Sequence, residues 1–152
     1  MNYNLIFIID TFGNGVFNGC FYIDPTSKKP TYSNYYPGSI NVTSAGSISG
    51  STNIDAYIYD DPYMLFEAQC DGTLAKTDIG KNTDTVLTAG STVNGLSKNE
   101  IDDSTEATTA GLQVKIIGIT KDPENDDASS ANANWHIMFN EHVKLGTGIT
   151  GT

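Results

Sequence analysis

Apolar and polar residues alternate with a period of two along four stretches: Ile54–Tyr59, Tyr63–Cys70, Leu112–Ile119 and Trp135–Asn140. Such a period sends successive side chains to opposite faces of a β-strand. In the first stretch Ile54, Ala56 and Ile58 share one face, against Asp55, Tyr57 and Tyr59. In the second, Met64, Phe66, Ala68 and Cys70 oppose Leu65, Glu67 and Gln69. In the third, Leu112, Val114 and Ile116 oppose Ile117 and Ile119, and in the fourth Trp135, Ile137 and Phe139 oppose His136, Met138 and Asn140. The last two stretches are expected to pair as a long-looped hairpin. The expected core is Ile58, Phe66, Val114, Ile116, Trp135, Ile137 and Phe139.

Before these stretches, Leu5–Ile9 is an unbroken apolar run rich in β-branched residues, and Val16–Ile23 returns as a second strand after a Phe12–Gly15 turn. Thr31–Tyr36 is extended and tyrosine-rich, Ile40–Thr43 is a short strand, and Ser44–Asn53 reads as a flexible linker. Asp61-Pro62 breaks the ladder between the first two alternating stretches, since proline donates no hydrogen bond and restrains the residue before it. From Leu74 to Ala110 the chain is polar, which predicts short strands and turns, with helix limited to a turn or two near Leu74–Ile79. Lys121–Asn134 is an acidic loop, and the Gly/Thr-rich tail Gly146–Thr152 is expected to fray or to pack on a neighbour. The pattern predicts an all-β fold, a small β-barrel or β-sandwich with an extended N-terminal arm and long polar loops. Residues 1–53 are expected to form the arm and linker, and residues 54–152 the compact core.

Composition narrows the function. A chain of 152 residues suits one domain. Its net charge is −10, and all eight basic residues are lysine. Arginine is the preferred bidentate donor to phosphate and guanine, so this balance argues against a nucleic-acid partner. It argues equally against an anionic membrane surface. The start, MNYNLIFIID, is too short and wrongly flanked for a signal peptide, and no run approaches a membrane span.

Candidate chemistry is sparse. Cys20 and Cys70 have no zinc spacing, and buried free thiols are the expectation, with a disulfide left open. Asp122–Asp127 is rich in carboxylates but lacks the alternation and glycine of a calcium loop, and Asp102-Asp103 with Glu106 reads likewise as a solvated acidic turn. His136 and His142 lack further ligands nearby. Ser97 is not in a nucleophile elbow, and Asp60-Asp61 suits a backbone-capping role at its corner. No enzyme, metal or cofactor is expected. Tyr32, Tyr35, Tyr36, Tyr57 and Tyr59 lie among polar residues. A partly buried sheet face, a protein interface and sugar stacking are all open to them.

Several motifs follow in order along the second half: Asp60-Asp61-Pro62, Phe66-Glu67-Ala68-Gln69, Asp78-Ile79-Gly80-Lys81-Asn82, Gly95-Leu96-Ser97 with Ile101-Asp102, Leu112–Gly118, Asp122-Pro123-Glu124-Asn125 and Asn140-Glu141-His142. The series resembles the capsid decoration or cement proteins of tailed bacteriophages, which are small head-associated structural proteins. The resemblance implies a non-enzymatic protein of the virion, made in the host cytoplasm and seated on the capsid exterior. It implies major capsid protein and other copies of itself, as a homotrimer, as partners. The alternatives are a carbohydrate-binding β-module and another virion part, such as a head-fibre or tail component.

Overall fold

A computed structural model describes residues 6–9, 13–24, 27–35, 54–91, 93, 95–125, 127–146 and 148–152. The chain is all-β in several antiparallel sheets, and among the described residues no closed barrel forms. Among the described residues helix is limited to one 3-10 turn, Lys76–Asp78, inside the predicted window.

The first sheet is built around the long strand β2 (Gly13–Ile23). Strands β1 (Ile6–Ile9) and β3 (Pro30–Ser33) pair with the two ends of β2. Strand β4 (Asp55–Tyr59) also pairs with β2, antiparallel, from Val16 to Phe21. The expected N-terminal hairpin is present, and its sheet takes in a strand from beyond residue 53, so strand pairing crosses the boundary drawn from sequence. The expected Ile40–Thr43 strand and Ser44–Asn53 linker lie outside the described residues.

The second sheet has the order β5-β10-β9-β6, with β5 at Phe66–Gln69, β6 at Asn82–Thr83, β9 at Val114–Ile119 and β10 at Asn134–Phe139. The predicted hairpin is there: β9 and β10 pair antiparallel from Val114↔Phe139 to Ile119↔Trp135. One face of this sheet makes the core. Phe66, Ala68, Val114, Ile116, Trp135, Ile137 and Phe139 are buried on it, joined by Cys70, Leu74, Ile101 and, from the first sheet, Val16. Ile101 comes from a small hairpin of β7 (Thr85–Val86) and β8 (Glu100–Ile101).

Three expectations about side chains are corrected. Ile58 is exposed and not core: β4 is exposed on both faces, at all five of its residues, so alternation there marks no buried side. Met64 is exposed because the strand begins only at Phe66; before it, the Tyr63 N–H bonds to Asp61 Oδ1 at 2.9 Å and holds a turn. Ile117 and Ile119 do not share a face. The ladder runs from Ile137↔Ile116 to His136↔Gly118, leaving Ile117 as the extra residue of a bulge. Ile117 turns outward and Ile119 returns to pack against the core.

The tail is also corrected. It neither frays nor leaves the domain, but is bonded along its own sheet. Asn82 Nδ2 donates to the Ile149 carbonyl at 2.8 Å, the Ile149 N–H donates to Asn140 Oδ1 at 2.9 Å, and the Thr152 N–H donates to the Gly80 carbonyl at 3.1 Å. Gly80 has φ +95, and a Cβ there would strike the Thr152 side chain, so both backbone and space demand glycine.

Asp78 anchors the turn beneath this tail. Its carboxylate accepts the Ala75 N–H at 2.7 Å and pairs with Lys81 at 2.8 Å. Burial alone would raise its pKa, but the Lys81 ammonium and the Ala75 N–H outweigh burial and hold it below the usual carboxylate range. The folded value lies below the unfolded one, so the stabilisation is present above the unfolded pKa of about 3.9 and is lost as pH falls through the folded value. Asp78→Asn is expected to lower stability near pH 7 by roughly 1–2 kcal/mol and to flatten its acid dependence below about pH 4. Urea melts of both proteins across the acid range check this.

Candidate docking surface

The central strand of the first sheet contains a gap at Gly19, and two tyrosines lean into it. Tyr32 comes from β3 on one side of β2 and Tyr57 from β4 on the other, where Tyr57 is opposite Gly19. Their ring centroids are 6.2 Å apart at 36°. Gly19 has φ +122, and a Cβ there would run into the Tyr32 hydroxyl. That hydroxyl donates to the Asn18 carbonyl at 2.5 Å, which fixes the ring over the gap. Asn18 is the extra residue of a β2 bulge, between Phe17↔Ile58 and Gly19↔Tyr57. Tyr59, two residues after Tyr57, lies on the same face. The three side chains are 58%, 49% and 45% exposed for Tyr32, Tyr57 and Tyr59.

The structure thus unites three of the five tyrosines selected from sequence. Tyr35 is half-buried beyond β3; its carbonyl accepts the Cys20 thiol and the Ser33 hydroxyl, and it neighbours Tyr22 away from the Tyr32–Tyr57 pair. Tyr36 lies outside the described residues. Sequence reasoning missed the exposed Tyr63 and Leu65, which follow the Asp61-Pro62 corner, while the exposed Ile58 lies on the opposite face of β4 from Tyr57 and Tyr59. At that corner Asp60 binds Lys144 at 2.6 Å, and this bond holds the Asp60 carboxyl below its usual range. Comparison with protein-family models, with curated proteins and with solved structures finds no match for this chain.

Several other polar groups hold loops and turns. Asp122 Oδ1 accepts the Glu124 N–H, and Asp127 Oδ1 accepts from Ser129, which lowers the Asp127 pKa. Between them Asn125 clamps the loop, donating to the Thr120 and Asn134 carbonyls at 2.9 Å each. Asp71, Asp102 and Asp103 converge to within 4.8 Å, a grouping not legible from the sequence spacing. One oxygen of each already accepts a backbone N–H, from Asp103, Ser104 and Thr73 respectively.

His136 sits half-buried in β10. His142 is fully buried against Phe139, with Nδ1 accepting the Lys144 N–H at 3.1 Å. Ser97 Oγ accepts the Asn99 N–H. Both cysteines are free and buried. Burial pushes the Cys70 thiol up to about 11 and raises Cys20 also, which disfavours the reactive thiolate.

Proposed function

We propose that this chain is a non-enzymatic structural protein that docks on the exterior of a bacteriophage head, using the Tyr32–Tyr57–Tyr59 face against the shell of major capsid proteins. The supporting observation is the fixed, exposed ring pair on the first sheet. A tyrosine ring offers a large contact area, a polar tip and few torsions to freeze. Because Tyr32 is already held by Asn18, less ordering remains to be done on binding. The net charge of −10 keeps the protein away from DNA and from random self-contact until a complementary surface is met. A shell repeats its binding sites, so modest contacts accumulate when copies are joined.

The Tyr32→Ser/Tyr57→Ser double variant tests this. Loss of an aromatic anchor costs about 2 kcal/mol or more, roughly 30-fold in affinity. Wild-type protein is expected to co-pellet with empty heads of the phage that encodes it, and the variant to remain in the supernatant at the same concentration. A variant that pellets as well as wild type removes the tyrosine face from the contact. A carbohydrate-binding module is the second reading, since the same exposed rings could stack on sugars. Selective glycan-array binding that is lost in the double variant would favour it.

A further inference from the structure

An asparagine followed by glycine can close on itself. The glycine nitrogen attacks the side-chain amide carbon, and no side chain on the glycine stands in the way. Asn18-Gly19 is such a pair, set in the middle of β2. A regular ladder suppresses the closure by holding both residues extended and paired. Asn18 escapes that restraint as the extra residue of the β2 bulge, which a bulge leaves unpaired. It is exposed, and its side-chain amide bonds to no described residue. Gly19, at φ +122, has already left the extended conformation.

We propose that Asn18 is a self-modification site, converted in the folded chain to aspartate and isoaspartate with help from the Tyr32 hydroxyl. The first requirement is loss of the Gly19 amide proton to hydroxide. The Tyr32 hydroxyl donates to the Asn18 carbonyl at 2.5 Å, draws electron density from the Asn18–Gly19 peptide and eases that loss. The Gly19 nitrogen then bonds to Asn18 Cγ and the Cγ–Nδ2 bond breaks. Nδ2 leaves as ammonia with a proton from water, which restores the hydroxide. Water next opens the cyclic imide. Cleavage at Cγ gives aspartate. Cleavage at the backbone carbonyl gives isoaspartate, with the main chain rerouted through Cβ and Cγ. The balance is one water in and one ammonia out, with no oxidation or reduction.

Either product adds a negative charge to a chain already at −10. Isoaspartate does more, because it lengthens the main chain of the strand that pairs with β3 and β4 at once. It also turns the carbonyl that anchors Tyr32 into a free carboxylate, so the Tyr32–Tyr57 ring pair loses its fixed position. The tyrosine face therefore decays with the age of the protein. The inference does not depend on what that face contacts.

Peptide mass spectrometry on the full chain, kept folded in mildly alkaline buffer, tests this. Asn14-Gly15 and Asn94-Gly95 are the other asparagine–glycine pairs and serve as references. Asn18 is expected to gain one mass unit and to become a substrate for isoaspartyl methyltransferase labelling. Tyr32→Phe keeps the ring and removes the hydroxyl. It is expected to slow conversion at Asn18 about 5-fold, the rate equivalent of one ordinary hydrogen bond, and to leave Asn14 and Asn94 unchanged. In urea, where Tyr32 no longer meets Asn18, the two proteins should convert alike. If Tyr32→Phe folds poorly by dichroism, the wild type alone decides, since its Asn18 should convert at least as fast folded as in urea. An Asn18 that converts faster in urea than in the folded chain, or as fast or faster in folded Tyr32→Phe than in wild type, would overturn the proposal.

Discussion

Replacing Phe139 with alanine is expected to lower the unfolding free energy by about 3–5 kcal/mol, the usual cost of emptying a buried aromatic site. Phe139 ends β10 on the core face and is buried there. Its ring meets Phe66 edge-on at 5.4 Å and 72°, and His142 at 5.3 Å. The ladder also sets it opposite Val114. The substitution therefore opens a cavity between three strands and removes an aromatic contact worth about 0.5–1.5 kcal/mol beyond its area. Urea denaturation should show the midpoint falling with an unchanged slope. A loss below about 1 kcal/mol would mean that the site collapses without cost and is not a packed core.

Asn82→Ala is expected to cost about 2–4 kcal/mol, because it strands two inward carbonyls at about 1–3 kcal/mol each. Asn82 is fully buried, and its Nδ2 donates to Thr109 at 2.9 Å and to Ile149 at 2.8 Å. The second bond ties the tail to the sheet. Amide exchange at Gly151 and Thr152, which donate to Thr108 and Gly80, should accelerate in the variant well beyond exchange in β9 and β10. Unchanged tail protection would assign the docking to Asn140 and Lys115 instead, which bond Ile149 and Thr150.

The tail shows where local sequence reasoning loses its grip. Its Gly/Thr composition reads as slack chain, yet its order comes from an asparagine far away in sequence. The motifs carrying the resemblance were legible as a series, and their polar members prove to be clamps: Asp78 on its turn, Asn82 and Asn140 on the tail, Asn125 on the acidic loop. The β9–β10 hairpin was legible because both strands alternate and both are paired on each side. The bulge at Ile117 was not, since a bulge is a property of register against a partner. Strand β4 alternates equally well, but alternation defines two faces without saying whether anything covers them, and Ile58 was misplaced for that reason. Tyrosine content left a partly buried sheet face, a protein interface and sugar stacking open. Choosing Tyr32 and Tyr57 required knowing that β3 and β4 flank β2 on either side of Gly19.

The most direct test of the proposed function is a reconstruction of empty phage heads at matched quality, with and without added protein. The account predicts extra density on the outer shell alone, with the Tyr32–Tyr57–Tyr59 face turned toward the major capsid protein. Heads without added density, or density attached through the opposite side of the chain, would contradict it.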